Sequence, residues 1–420
     1  MTSTADPFDD FDVVDARDRP FDPADPDTRI DFQIAVAEFA ARQQIRSAAE
    51  QMGAIVTVVA EARRHPEVFV VLRGEPTDRD VEFAERAAIA DLAVRLSLAE
   101  GTVAAFATQG ALLRGRAPGV WAAFLEGDIA VANARRVADT LETLPADVTS
   151  DAALDAASLE LAHLAPARFR QRLHTLRERL HPCSATERHA EAARARSVWR
   201  EPDIEGMAWL GVHLTAADAD AAWQRIDGTA RHLCAQPGET RTIDQVRADV
   251  AADILTGRID PLTTPRVTVG VLIPMLTLLG RSDAPATLEG YGPIDAVTAR
   301  ELTAHAPTFF RILTDPVSAT VLDVDRGSYR PPADLKRWLA LRDGTCRFAG
   351  CGRSAKNCDL DHTVDWAKGG PTAARNLAHL CRRHHTLKHR TRWSVAQHPD
   401  TTITWTSPTG AIRTADPPPF

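Results

Sequence analysis

The chain's 420 residues give room for two or three domains, and an apolar content of 44% is enough for each to bury a core. A formal charge of −8 excludes a uniformly basic protein that coats nucleic acid. No apolar run reaches membrane-spanning length, because the longest candidate, Val267 to Leu279, is broken by Pro274. Four of the six cysteines lie between Cys346 and Cys381, a distribution unlike the disulfide framework of a secreted domain. The N-terminus shows no basic segment followed by an apolar core. The expectation is a cytoplasmic protein.

Residues 1–30 hold nine Asp and few apolar groups, so an acidic disordered tail is expected there. A helical domain is expected over 31–260. Phe32, Val36, Phe39 and Ala40 share a helical face, and Gly53 before a new apolar run suggests a break. Phe83, Ala87, Ala90, Val94 and Leu98 predict a second helix over Val81 to Ser97. Further helices are expected near 100–114, 118–125, 129–144, 151–163 and 166–180, punctuated by Pro118, Gly127, Pro145, Pro166 and Pro182. The 166–180 helix carries Arg168, Arg170, Arg172, Arg177 and Arg179, a run whose default reading is a solvated face. Residues 185–200 read as an exposed helix or connector, Met207 to Leu214 as a strand, and 216–235 and 242–256 as helices.

A mixed connector is expected over 261–335. In it Val267 to Leu279 reads as a buried strand, Glu289 to Pro293 as a turn, Ile294 to His305 as a helix and Thr320 to Val324 as a strand. Pro331-Pro332 opens a helix from Ala333 to Asp343, whose Trp338 and Leu341 should pack on the cysteine-rich unit C-terminal to it. The segment 336–398 has thirteen Lys and Arg against four Asp, a local excess of nine positive charges in an acidic chain. Such a segment suits a polyanionic partner. Residues 399–420 complete a hairpin, with Trp393 to Val395 and Thr402 to Trp405 as its strands, and end in a loose Pro-rich tail.

Two ligand patterns interleave within that basic segment. Cys346-x4-Cys351 and Cys381-x2-His384 are paired at a spacing that grips one tetrahedral zinc. Between and beside them stand Asp361-His362, Asn376 and His385. Phosphodiester hydrolysis needs a base to deprotonate water and a cation to stabilise charge. His362 titrates in the range a base requires, and Asp361 and His385 offer one oxygen and one nitrogen to a divalent ion. Neighbours in a strand point to opposite faces, so Asp361 and His362 converge only where the strand ends and bends. His389 lies four residues after His385 on one helical face and is a candidate further ligand. Cys358 reads as a small buried residue and His379 as a plain strand residue.

This run resembles the HNH endonuclease motif in its zinc-stapled form. The resemblance implies that Asp361 and His385 bind a catalytic metal such as Mg²⁺, Mn²⁺ or Ni²⁺. It also implies that His362 is the general base and that products carry 5′-phosphate and 3′-hydroxyl ends. Asn376 either binds metal or orients the loop. Asp365 stands where many such motifs have Pro, a carboxylate that disturbs the loop or joins the metal shell. The implied fold is a mainly α N-terminal domain, a mixed α/β connector and a small zinc-stapled ββα-metal domain. Its hairpin is expected at Cys358–His362 and Leu377–Leu380, with a helix from about Arg383. Duplex DNA is the implied partner, with Arg382, Arg383, Lys388, Arg390 and Arg392 on its phosphates.

The rest of the chain resembles a bacterial domain of unknown function, number 222 in its series, commonly fused to an HNH motif. The segments LAEGTVAAFATQGALLRGRAPGVWAAFLEGDIAVANARRVADTL, RTIDQVRADVAADIL and GYGPIDAVTARELTAHAPTFFRILTDPVSATVLDVDRGSYRPPADL carry this likeness. It brings no activity. Two functional classes stay open: a metal-dependent DNA endonuclease, or a non-catalytic zinc-stapled DNA-binding protein such as a decayed mobile-element relic.

Overall fold

A computed structural model describes residues 22–183, 185–256, 271–288, 292–304, 331 and 333–415. The chain divides into two compact units. The first runs to Pro182 and takes back Thr386–Val395 and Thr404–Thr414; the second holds Cys183–His385, Ala396–Ile403 and the chain from Ala415. The division at Pro182 falls inside the 31–260 span expected to be one helical domain.

The first unit is built from helices whose ends the sequence marks clearly. Helix α1 (Pro26–Arg64) starts with Asp25 accepting from the Asp27 amide and Pro26 in the first turn, an arrangement that meets unpaired N–H groups without needing one from proline. Residues 22–30, expected to be disordered, therefore include an ordered helix start; residues 1–21 lie outside the described residues. Nor does Gly53 break the helix. It sits mid-helix with the Trp121 ring 3.4 Å from where a Cβ would stand, so its small size serves a helix crossing. The expected face of Phe32, Val36 and Phe39 is not the buried one. Burial runs instead along Ala49, Met52, Ile55, Val59 and Ala62, spaced three or four residues apart as one helical face requires.

Helices α2 (Asp78–Leu96), α3 (Glu100–Arg116), α4 (Pro118–Glu126), α5 (Val131–Glu142), α6 (Val148–Glu160) and α7 (Pro166–Leu180) follow the sequence reading closely. One cluster joins Met52, Leu113, Phe124, Leu141, Leu154, Phe169 and Leu173; a second joins Ile55, Val59, Ile89, Val103 and Ala107. Gly110 sets the α1–α3 distance, since a Cβ there would meet Val56 Cγ2 at 2.6 Å and Met52 Cγ at 2.8 Å. Arg116 closes the end of α5 by donating to the carbonyls of Leu141, Leu144 and Pro145 while pairing with Asp151 at 2.7 Å. Asp155 caps α4 from α6, accepting the Gly119 and Val120 amides.

The second unit opens with α8 (Ala185–Ala192) and an antiparallel hairpin, β1 (Ser197–Pro202) with β2 (Ala208–His213). The sequence showed only β2; β1 lay hidden in a stretch read as connector. Helices α9 (Ala216–Cys234) and α10 (Ile243–Thr256) pack through Ala230, Val246 and Val250. The expected buried strand Val267 to Leu279 is not one element. Its described part is a short β3 (Val271–Leu272) followed by a single helical turn, α11 (Met275–Leu278), with Leu276 and Leu279 exposed. Strand β3 pairs with β4 (Ala286–Leu288), which pairs with β5 (Gly292–Ile294), and α12 (Ala296–Ala304) comes next. Residues 267–270, 289–291, the predicted strand 320–324 and the tail 416–420 lie outside the described residues.

Helix α13 (Ala333–Asp343) leads into the cysteine-rich segment. Its contacts come from Leu335 and Leu339 against Ala374 and Leu377, with Trp338 at the margin; Leu341, expected in this role, is not part of that cluster. Strands β6 (Asp359–His362) and β7 (Leu377–Leu380) pair antiparallel, Asp359 opposite Leu380 and His362 opposite Leu377, and α14 (Arg382–Arg390) starts directly after β7. Strands β8 (Ser394–Gln397), β9 (Ile403–Thr406) and β10 (Ile412–Ala415) form a sheet in the order β10-β9-β8. The expected hairpin thus gains a third strand.

Candidate metal centre

The loop from Thr345 to Ser354 closes on itself through a bridge between those residues and the Cys346 amide donating to the Arg353 carbonyl at 2.7 Å. This turn presents Cys346 and Cys351; the end of β7 and the first turn of α14 present Cys381 and His384. The ligand atoms of the four lie within 4.8 Å of one another. His384 Nδ1 is 3.4 Å from Cys346 Sγ and 3.3 Å from Cys381 Sγ, and Phe348 stacks on the His384 ring at 4.0 Å. Three thiols and one imidazole, three of the four residues buried, form a donor set that fits tetrahedral zinc. Thiol hydrogen bonds from Cys346 and Cys351 hold Cys381 well below the ordinary thiol range, whereas contact with Cys351 and Cys381, with burial, pushes Cys346 up. Cys358 is not in the group. Its thiol donates to the Ser354 carbonyl at 3.3 Å, and burial pushes it up to about 12.

Asp361 and His385, both in the second unit, form a second pair of ligand type. His389 lies one turn after His385 on α14, a spacing that puts both histidines on one side of that helix. Asp361 comes from β6, and its Oδ1 is 3.4 Å from His385 Nε2. His362, the next residue, ends the same strand. Its Nε2 is 3.0 Å from Thr372 Oγ1, its ring is 5.8 Å from the Trp366 ring, and it is 8% exposed.

Asn376 works on the loop. Its Oδ1 accepts from Thr363 Oγ1 and the Val364 amide, both at 2.8 Å, and its Nδ2 donates to the Val364 and Pro371 carbonyls at 3.1 and 2.9 Å. Four hydrogen bonds use the full capacity of a buried amide, so of the two roles left open the geometry supports loop orientation. Gly370 lies beneath this clasp, where a Cβ would stand 1.9 Å from the Val364 carbonyl oxygen. Asp365 pairs with Lys368 at 3.2 Å and its carbonyl accepts the Lys368 and Gly370 amides. It shapes the loop and is outside both ligand groups.

Sequence reasoning missed one structure. Asp343 is fully buried, and its Oδ2 accepts both the backbone amide and Nδ1 of His379, at 2.9 and 2.8 Å. Its Oδ1 accepts from Arg342 Nε at 2.8 Å, and Arg342 goes on to donate to the Ala374 and Leu377 carbonyls. Arg347 donates to the Thr401 and Ala415 carbonyls. So His379 is no plain strand residue, and Arg342 and Arg347 do not contribute to a surface positive field. Only the run Arg342-Asp343 before the first cysteine hinted at this. Of the expected phosphate contacts, Arg382, Arg383 and Arg390 are exposed and Lys388 half-buried, with Asp359 3.6 Å from Arg382. Arg392 is engaged in the first unit, its amide on the Phe69 carbonyl at 2.8 Å and its Nε on that of Val70 at 3.4 Å.

These features place the chain among mainly helical proteins with small C-terminal sheets and a Cys3His cluster. The chain belongs to the family described as Domain of unknown function (DUF222), whose model matches residues 39–343. Uncharacterized protein Rv3776 of Mycobacterium tuberculosis is 33% identical over 272 residues, which are 56% of this chain and 51% of that protein. Uncharacterized protein Rv2100 of the same species is 35% identical over 166 residues, 38% of this chain and 29% of that protein. The chain thus spans about half or less of the length of these relatives. No solved structure matches it. Among the described residues, no helix is long and apolar enough to cross a membrane.

Proposed function

We propose that this chain is a metal-dependent HNH-type endonuclease that hydrolyses DNA phosphodiester bonds, with a structural zinc holding its site. One observation carries the reading: Asp361 meets His385, and His362 stands directly next to Asp361 on the same strand. A structural zinc site has no use for this second donor group. Asp361 and His385 would hold the divalent ion, which when bound supplies positive charge for the scissile phosphate and the departing oxygen.

The protein's own part is proton transfer and positioning. His362, its Nε2 held 3.0 Å from Thr372 Oγ1, takes a proton from the attacking water on whichever ring nitrogen is left unprotonated. Asn376 fixes the 363–371 loop that carries Thr372 onward, so the imidazole keeps one orientation. Cys346, Cys351, Cys381 and His384 tie the start of α14 to the preceding loop, which fixes His385 one residue later. Arg382, Arg383, Lys388 and Arg390 supply contacts for phosphates.

Purified protein of known zinc content, incubated with supercoiled plasmid and Mg²⁺, Mn²⁺ or Ni²⁺, tests this. Nicked or linear product that disappears with chelator is expected. Full zinc occupancy with tight DNA binding and no product with any of the three ions would leave the non-catalytic DNA-binding reading instead.

A further inference from the structure

Helix α7 carries five arginines and a single acid, Glu178. Its buried side is Phe169 and Leu173. At helical spacing Arg170, His174 and Arg177 share one flank of that side, while Arg168, Arg172 and Arg179 share the other. The first flank opens into a cleft of about 590 Å³ between α5 and α7, lined by Arg136, Thr140, Thr143, Arg170, His174 and Arg177 among others.

The charges of this cleft are poorly balanced. Asp139 is its one acid; it lies 3.6 Å from Arg136 and also accepts from Gln109 at 2.7 Å. Arg177 is held by Thr143 Oγ1 at 2.7 Å and by Glu178 at 2.9 Å. Among the described residues, Arg168, Arg170, Arg172, His174 and Arg179 have no acidic partner. Several exposed arginines elsewhere are ion-paired, among them Arg63 with Glu85, Arg86 with Glu82, Arg231 with Asp227 and Arg241 with Asp249. Like charges one turn apart destabilise a helix, so α7 retains a repulsion that ion pairs relieve on other helices.

Arginine forks match phosphate oxygens in geometry and charge, and the arginines are the cleft's phosphate donors, since the Thr140 and Thr143 hydroxyls already donate to the Arg136 and Thr140 carbonyls. The charge also continues past the cleft onto the second flank of α7, which one small phosphate would leave unused. We infer that the α5–α7 cleft is a second contact for the sugar–phosphate backbone of nucleic acid, with Arg136, Arg170 and Arg177 seating it and Arg168, Arg172 and Arg179 extending the track. The inference rests on the nucleic-acid part of the proposed function and not on cleavage.

The test uses the full chain with a fluorescent 30-base-pair duplex, in chelator, over a range of salt. The Arg168→Ala/Arg170→Ala/Arg172→Ala protein should keep its helicity and zinc content. Its affinity should fall at least tenfold at low salt, and its salt slope should become shallower by about 0.9 for each phosphate it no longer neutralises. Unchanged affinity and slope would overturn the inference. If the triple variant misfolds, Arg170→Gln alone should make the slope shallower by about one phosphate's share; a Gln variant identical to the parent is equally damaging. A parent that binds no duplex overturns this inference together with the DNA reading. A parent that binds through these arginines yet never cuts leaves the cleft standing and removes the nuclease. Inorganic phosphate at matched ionic strength is the second arm: competition as effective per phosphate as unlabelled duplex would assign the cleft to a small anion and reject the strand.

Discussion

Asn376 shows how one side chain can decide the shape of a site without touching a reactant. Its amide makes four hydrogen bonds across a loop whose one regular piece is a single 3-10 turn at Trp366–Lys368, and glycine is the only residue type that fits below it at position 370. Asn376→Ala should leave three backbone groups without their partner and the Thr363 hydroxyl with Gln397 Oε1 alone. The expected outcome is a loss of about 1–3 kcal/mol in unfolding stability and weaker cleavage, with zinc retained. Denaturant unfolding with zinc analysis on the same sample checks this, and an unchanged midpoint would contradict the loop role. Residue identities in this region were legible because their chemistry is local: two Cys/His pairs, Asp361-His362 and His385 can be read by spacing alone. Asp343 and His379 were not, since they lie 36 positions apart and meet only after β7 is placed.

Among the elements, the helices were legible from apolar spacing, but their capped starts were placed late: α2 was expected from Val81 and begins at Asp78, and α6 was expected from 151 and begins at Val148. Thr77 and Asp80 form a reciprocal capping box on α2, and hydrogen bonds from the Thr77 side chain and backbone hold the Asp80 carboxyl below its usual range. A depressed carboxyl contributes stability that is present above its unfolded value of about 3.9 and is lost as pH falls through the folded value. Protection of the first-turn amides of α2, corrected for the intrinsic exchange rate at each pH, should therefore fall below about pH 4 in the parent and be low at all pH in Asp80→Ala. The zinc turn is the second such element. Cys351→Ser should drop bound zinc from one per chain to a fraction and expose the 345–390 region to protease; full zinc with unchanged resistance would contradict the ligand set. Strand β1 was not legible, because SVWREP sits in a charged stretch and both faces of the β1–β2 hairpin are largely exposed, so no alternation marks it.

Across the whole molecule, two late segments, Thr386–Val395 and Thr404–Thr414, are part of the first unit. Trp393 and Trp405 are buried, meet edge-to-face at 6.4 Å, and the Trp393 indole donates to the Ala87 carbonyl on α2 at 3.4 Å. Asp91 and Arg95 on α2 both hold Thr409. A hairpin was visible in the sequence, but its docking on α2 depends on long-range packing that no local pattern records. Trp393→Ala should destabilise the first unit by about 3–5 kcal/mol, read as a lower denaturant midpoint for its helical signal. A change under 1 kcal/mol would mean that the segment is only a tail.

The proposed chemistry turns on His362 taking the proton from water. Plasmid cleavage by the parent and by His362→Ala, matched for zinc content, helicity and DNA affinity, with saturating Mg²⁺ or Mn²⁺, reads this step. The His362→Ala rate should be about 10²–10⁴-fold lower and not restored by more metal, while Asp361→Ala and His385→Ala recover part of theirs as metal is raised. Equal cleavage by the parent and a well-folded His362→Ala protein would contradict the role of His362 as the base.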